Sequence, residues 1–263
     1  VYEAIDLLIN GNYDLVIGSR FLEKSSTKGL SAKRKDRSSY ANILARNTLS
    51  KEYRDITDYM SGCFVFKTIS CMDEIKKIDV NGFKFLYELL ALTKGKLKIK
   101  EIPLQFKSRK FGYSKLDIAV IWDFVISLIH TFINRVIPRK AISFGVVGSI
   151  GVLVHLVMVY FLISITSLSF IQVLPFAGVS AASSNFLINN MFTFRNKRLR
   201  GIGLFYGLLK FLMVSSIPLV ANVGLAASYY TFISPNTFIS QMAGIIVVFI
   251  WNYVASSKFV WKE

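Results

Sequence analysis

Four long apolar runs dominate the second half of the chain, and each is long enough to cross a bilayer as one helix of about 20 residues. They cover residues 141–163, 170–192, 204–232 and 237–257. The connectors "RVIPRK" and "RNKRLR" are basic, whereas "SITSLS" and "ISPN" carry no charge. Basic loops stay in the cytoplasm. The pattern therefore predicts four spans, with both chain ends and the 193–203 loop cytoplasmic.

The four spans also contain an internal repeat. Two sets of residues recur with the same spacing: Phe144, Ser149 and His155 in the first span, and Phe211, Ser216 and Asn222 in the third. We interpret the spans as two hairpins that both start in the cytoplasm, which is a parallel duplication. Amides facing lipid are costly. We therefore expect the asparagines of the spans to face other helices, namely Asn185, Asn189, Asn222 and Asn252.

The helix between the two halves has a different pattern. From 115 to 137, polar residues recur every three to four positions and form one stripe on a helix. The stripe includes Asp123, Ser127 and Asn134. A fifth crossing would put the first half on the wrong side of the membrane for the charge pattern. We therefore expect residues 115–138 to form an amphipathic helix that lies in the cytoplasmic interface.

The first half has the composition of a basic soluble domain. Residues 1–123 hold 15 of the 16 acidic residues, and Glu263 is the other. A helix-like segment at the start leads directly into a buried strand at 13–18, which predicts a piece of a larger fold. Cys63 and Cys71 match neither a metal pattern nor a disulfide framework, so we expect two free thiols.

The net charge of +16 raises the possibility of a nucleic-acid binder. Much of the excess charge flanks the apolar runs, where anionic lipid and membrane topology account for it. We find no nucleic-acid recognition motif in the sequence, so we expect the bilayer and not nucleic acid as a partner.

Four motifs in the first half carry a family resemblance. They are "YDLVIGSRF" (13–21), "DITDYMSGCFVFK" (55–67), "NGFKFLYELL" (81–90) and "EIPLQFKSRKFGYSKL" (101–116). In this order they resemble the C-terminal part of the catalytic domain of polyprenyl-phosphate glycosyltransferases of family 2, of the dolichyl-phosphate mannosyltransferase type. The four-span half resembles the GtrA-like membrane domain. The resemblance covers nearly the whole chain.

The resemblance implies a fold and a division of the chain. Residues 1–114 would be part of an α/β, Rossmann-like GT-A glycosyltransferase domain. The interfacial helix at 115–138 would follow, and residues 139–263 would be an all-α membrane domain of four helices. In this family, a hexose of the mannose or glucose type moves from a nucleotide sugar to dolichyl or undecaprenyl phosphate. We expect the reaction at the cytoplasmic face, in a prokaryotic plasma membrane.

Site residues follow from the same resemblance. Arg20, Arg34, Ser38 and Arg109 match positions that bind the acceptor phosphate in the family. Arginine suits this task because its planar fork meets phosphate oxygens in pairs. For Arg34, a solvated basic run is an equally good reading. Arg109 lies in Arg-x-x-Gly-x-Ser-Lys, which indicates a fixed turn more than a basic membrane flank.

Two acidic residues complete the expected site. Asp58 matches an acid beside the sugar pocket and is assigned a catalytic role, although a buried turn acid is an alternative that is nearly as good. This chain has Tyr59 where many relatives have proline. Glu88 is also assigned as catalytic, against the alternative of an ordinary helix residue.

The donor side of such an enzyme has no counterpart in the sequence. The family binds Mg²⁺ or Mn²⁺ and the nucleotide through an Asp-x-Asp motif, and none occurs here. We therefore assign no metal ligand, and we expect an enzyme that lacks its nucleotide-binding half and does not turn over alone. A GtrA-like flippase for lipid-linked sugars, or a passive membrane anchor without catalysis, is the alternative function.

Overall fold

The computed structural model describes residues 2–25, 32–78, 84–105, 118–233 and 237–262. Within these ranges it leaves out the side chains of 32–35, 37, 218–230, 237–238 and 240–243. The chain divides into two compact units, Val1–Val136 and Ile137–Glu263.

The first unit combines helices with a small sheet. Its elements are α1 (Tyr2–Ile9), β1 (Leu15–Ser19), α2 (Ala32–Thr48), β2 (Phe64–Phe66), α3 (Thr68–Ile75), α4 (Phe85–Thr93), β3 (Ile99–Pro103) and α5 (Ile118–Phe132). The strand order is β2-β1-β3, with β2 antiparallel and β3 parallel to β1. The first unit is thus α/β in composition; its Rossmann-like topology stays a prediction.

Strand β1 is the centre of this unit because every one of its residues is buried. The sequence "LVIGS" supplies β-branched and aliphatic side chains that suit a strand covered on both faces. Leu15 and Ile17 join the main core with α4, whereas Val16 packs on the other face with α1. The buried strand places its carboxyl end, and the Arg20 that follows, at a fixed position.

Part of the polar stripe of helix α5 packs against the rest of the first unit. Ser127 is fully buried, and Lys84 Nζ donates to its hydroxyl at 3.2 Å and to the Asp123 carbonyl at 3.3 Å. The residues at helical spacing on the other side are exposed and apolar: Ile118, Ile121, Val125 and Phe132. The described part of the helix thus has an apolar exposed side, and its location in a membrane interface stays a prediction.

The second unit consists of long helices. They are α6 (Arg139–Ile165), α7 (Phe170–Ile188), α8 (Ile202–Phe232) and α9 (Thr237–Ala255). Two of them, α6 and a segment running from α7 to Thr193, are long and apolar enough to cross a membrane. Shorter apolar segments cover 202–217 of α8 and 244–260 around α9, among the described residues. The predicted count of four spans therefore stays a prediction.

The internal repeat is visible in the order of the elements. Both α7 and α9 continue into a π-helical turn, at Asn189–Thr193 and at Ser256–Val260. One aromatic residue follows each turn, and the rings of Phe194 and Trp261 stack 4.1 Å apart at an interplanar angle of 12°. The equivalent residues of the two hairpins thus meet in one aromatic core, which supports the duplication read from the sequence.

Two of the four asparagines expected to face other helices, Asn185 and Asn189, pack against protein. Asn189 is only 1% exposed. The Asn185 amide lies against Gly151 of α6, so closely that a Cβ at that glycine would overlap it. The amide of Asn190 bonds to the backbone of Leu199 and accepts from Trp261 Nε1 at 3.1 Å. The side chain of Asn222 lies outside the described residues.

Candidate functional site

The candidate site begins where β1 ends. Ser19 is the last residue of the strand, and its hydroxyl lies 2.6 Å from that of Thr57. Arg20 follows immediately and leaves the sheet with its side chain 14% exposed. Gly18 permits this arrangement because Cys63 approaches its backbone closely, at 3.3 Å from where a Cβ would lie. The strand end and the 57–63 segment therefore form one packed platform.

A buried carboxylate orients Arg20. Asp58 is 0% exposed, and Arg20 donates to both of its oxygens, from Nε to Oδ2 and from Nη2 to Oδ1, each at 2.7 Å. The Arg20 backbone amide also donates to Asp58 Oδ2, at 3.2 Å. A two-bond geometry of this kind fixes the guanidinium plane. Arg20 is therefore held rigid and partly open to solvent.

Helix α2 brings a hydroxyl to the same guanidinium. Arg20 Nη2 donates to Ser38 Oγ at 3.2 Å. Arg34 lies four residues earlier on α2, which places the two positions on one face of the helix. The side chain of Arg34 lies outside the described residues. The structure thus brings together Arg20, Asp58 and Ser38, three of the six residues expected from the sequence.

Glu101 is a member of this cluster that the sequence reading missed. Its carboxylate accepts the backbone amides of Thr57 and Asp58, at 2.9 and 3.1 Å, and the Thr57 hydroxyl. Burial raises the pKa of Glu101, and these hydrogen bonds oppose the rise. Glu101 pairs with Ile17 in the parallel ladder of β3 and β1. It therefore fixes the turn that carries Asp58.

A signal for Glu101 did exist in the sequence. An acidic residue in the middle of a sheet strand is costly to bury unless it is bonded. Recognising it required the pairing of β3 with β1, which joins positions 84 residues apart. The sequence contains no comparable indication that Thr57 belongs to the site.

Glu88 belongs to a different cluster. It is fully buried on α4, and its Oε2 accepts a 2.7 Å bond from Arg135 Nη2. Neither this contact nor the Arg135 side chain is part of the Arg20 cluster. The predicted catalytic role of Glu88 therefore stays a prediction, and its geometry is that of a buried ion pair.

Two further expectations concern Arg109 and a metal ion. Arg109 lies at 106–117, outside the described residues. In the described part of the chain, no group of three or more His, Cys, Asp or Glu could hold a metal. Asp58 and Glu101 are already occupied by Arg20 and by backbone amides. These residues do not fit Mg²⁺ or Mn²⁺, so we derive no step through a metal.

The chemistry open to the cluster is anion binding. The bonds to Asp58 and Ser38 use Nε and Nη2 of Arg20, which leaves the Nη1 edge of the guanidinium to face a ligand. Ser38 Oγ lies beside that group and has a hydroxyl to donate. A phosphate oxygen could accept from both without displacing Asp58. Both oxygens of Asp58 are bonded to Arg20, so this carboxylate is not available as a base.

Both units of the chain have similarity to known proteins. Residues 143–261 match the family described as GtrA/DPMS, transmembrane domain. A dolichol-phosphate mannosyltransferase of Pyrococcus furiosus is 29% identical over 262 residues, covering 98% of this chain and 71% of that protein. A dolichol-phosphate mannosyltransferase of Mycosarcoma maydis is 30% identical over 154 residues, covering 58% of this chain and 48% of that protein. The chain is thus a membrane protein that is similar to dolichol-phosphate mannosyltransferases and, over residues 143–261, to the GtrA/DPMS transmembrane domain.

Proposed function

We propose that the protein is a membrane glycosyltransferase that moves a hexose from a nucleotide sugar to a polyprenyl phosphate at the cytoplasmic face. The two relatives are named for this class of reaction. The observation that carries the proposal is the rigid, partly exposed Arg20, held by buried Asp58 beside Ser38. An acceptor phosphate needs a fixed cation of this kind.

In the proposed reaction, Arg20 and Ser38 bind the acceptor phosphate. One phosphate oxygen forms a bond to the anomeric carbon as the bond from that carbon to the nucleoside diphosphate breaks. Hydrogen-bond donors that are already in position lower the activation barrier of the transfer, because they do not have to reorganise as charge develops in the transition state. Arg34 and Arg109 are the expected further cations.

Asp58 and Glu101 act as positioning residues in this account. Asp58 sets the plane of the Arg20 guanidinium, and Glu101 holds the turn that carries Asp58. This differs from a direct catalytic role for Asp58. Its carboxylate is fully buried and bonded, so it has no open oxygen for a substrate.

The donor side is supplied elsewhere in this proposal. The sequence has no Asp-x-Asp motif, and the proposal assigns nucleotide binding, with Mg²⁺ or Mn²⁺, to a part of the enzyme other than these residues. We expect these residues alone to bind the acceptor but not to turn over.

The membrane surface would be the place of reaction. The exposed apolar face of α5 has the composition of a helix that lies in an interface, with Ile118, Ile121, Val125 and Phe132 at helical spacing. We propose that this face enters the cytoplasmic interface. Four crossings in the second unit, with cytoplasmic ends, would anchor the enzyme there.

Steady-state kinetics of the completed enzyme test the proposal. We expect Arg20→Ala and Arg109→Ala to raise KM for a short polyprenyl phosphate and to leave KM for the nucleotide sugar nearly unchanged. Arg54→Ala, at an exposed arginine of the first unit, is the matched control. Unchanged acceptor kinetics in both variants would refute the assignment.

A further inference from the structure

A cavity with both polar and apolar lining residues lies in the first unit. It has a volume of about 280 Å³ and is lined by Thr48, Leu49, Ser50, Ala91, Lys94, Thr131, Asn134 and Arg135. Its lining comes from the carboxyl ends of α2, α4 and α5 and the residues just beyond them. Neither Arg20, Ser38 nor Asp58 lines it. A cavity of this size suits a small ligand or one head group.

Arg135 lines this cavity, and a buried carboxylate orients it in the same way as Asp58 orients Arg20. Arg135 is 16% exposed and donates from Nη2 to the fully buried Glu88 at 2.7 Å. Arg20 is 14% exposed and donates to the fully buried Asp58 at the same distance. In both places a buried carboxylate orients an arginine whose edge reaches solvent. Lys94 adds a second, exposed cation to the cavity wall.

Three polar atoms of the lining are buried without a hydrogen-bond partner. Among the residues that the structure describes, they are Thr131 Oγ1 and two donors from different helix ends, Ser50 Oγ and Arg135 Nε. A buried polar atom left in this state costs about 1–3 kcal/mol. A bound group that accepts from both would remove that cost.

Capping of the helix ends does not account for these side chains. The last carbonyls already receive backbone amides: Lys94 N donates to the Leu90 carbonyl at 3.3 Å, and Arg135 N to that of His130 at 2.8 Å. Lys94 and Arg135 adopt left-handed backbone angles, with φ of 47° and 61°, which is how such a cap is made. These caps use neither the Lys94 ammonium group nor the part of the Arg135 guanidinium that does not bond to Glu88.

We propose that this cavity binds a phosphate group, from either a phospholipid head group or a free phosphate. Its donors come from three helix ends, so they suit a tetrahedral anion with oxygens in several directions better than a planar carboxylate. Lys94, the Nε edge of Arg135 and the Ser50 hydroxyl would contact it. The site is separate from the acceptor site and does not depend on the proposed transfer reaction.

Phosphorus NMR titrations of the whole chain in dodecyl maltoside test this site. The probes are inorganic phosphate and, separately, dihexanoyl phosphatidic acid. The variants are Lys94→Gln and Ser50→Ala, with Lys96→Gln as the matched control, because Lys96 is equally exposed on the same turn but does not line the cavity. Each variant is also made in an Arg20→Ala background, which separates this site from the acceptor site.

We expect Lys94→Gln to weaken binding about tenfold, the factor for one charge-assisted hydrogen bond. Ser50→Ala should weaken it less, and Lys96→Gln should leave it unchanged, also with Arg20→Ala. Equal affinity for the two probes would identify free phosphate as sufficient, and stronger binding of the lipid would identify a head group. The proposal is overturned if neither probe binds, if Lys94→Gln and Lys96→Gln have equal effects, or if Arg20→Ala alone abolishes binding.

Discussion

Both carboxylate oxygens of Asp58 lie 2.7 Å from the guanidinium of Arg20, in a place where Asp58 has no contact with solvent. Asp58 therefore fixes the orientation of the Arg20 guanidinium. Asp58→Asn keeps the shape but replaces one acceptor oxygen with the NH2 donor group of an amide. We expect acceptor affinity to fall about tenfold, since the two-bond charged contact is lost.

Titration of a short polyprenyl phosphate into the detergent-solubilised chain checks this. Asp55→Asn is the matched control, three residues earlier and exposed. If Asp58→Asn bound the acceptor as well as the unaltered protein does, a positioning role for Asp58 would be wrong.

Glu101 gives the protein a distinct pH dependence. Burial raises its pKa above the ordinary value of 4.5. The folded state therefore holds this proton more tightly than the unfolded chain, and the contribution of Glu101 to stability is largest at low pH. It declines as pH rises from 4.5 through the raised pKa. The glutamine of Glu101→Gln does not titrate. We therefore expect the Tm difference, unaltered protein minus variant, to become smaller as pH rises through this range.

Thermal unfolding at a series of pH values, with exposed Glu52→Gln as the control, measures this difference. A difference that stays flat, or that grows with rising pH, would contradict the burial of Glu101 described above.

The ion pair of Glu88 with Arg135 separates a structural role from a catalytic one. Arg135→Ala removes the 2.7 Å ion-pair contact of a fully buried carboxylate, and breaking a buried pair of this kind is destabilising. We expect a clear drop in Tm of the first unit, whereas Arg54→Ala should have almost no effect. Loss of transfer activity in Glu88→Gln at an unchanged Tm would instead support the catalytic role read from the sequence.

Glycines of α6 provide a test of packing in the second unit. A Cβ at Gly151 would overlap the Asn185 amide, whereas a Cβ at Gly148 would meet nothing within 4 Å. We expect Gly151→Ala to destabilise the unit by about 1–3 kcal/mol, the usual cost of overpacking. Gly148→Ala should be neutral or slightly stabilising, because alanine favours a helix. Thermal unfolding of both variants in one detergent measures this, and equal stability would contradict the α6–α7 contact.

Local pattern predicted much of this structure from the sequence. The run at 141–163 became α6 (Arg139–Ile165), because twenty or more apolar residues have few alternatives to one long helix. The strand expected at 13–18 became β1 (Leu15–Ser19) for a similar reason. Arg20 and Ser38 came from motifs, and they do meet.

The pattern of the sequence did not predict contacts between distant segments. The roles of Asp58 and Glu101 depend on strand pairing and on a turn that meets β3, and no local periodicity encodes these. Glu88 matched a motif, but its partner Arg135 lies 47 residues away. The direction of the polar stripe on α5 likewise depends on Lys84, which lies on another element.

Binding of a short polyprenyl phosphate to the unaltered chain and to Arg20→Ala tests the central claim most directly. The account predicts a loss of about 10- to 100-fold in affinity for Arg20→Ala, from one charged contact of roughly 1.5–3 kcal/mol, and no change for Arg54→Ala. Equal affinity of all three proteins would contradict the assignment of Arg20 and Ser38 as the acceptor-phosphate site.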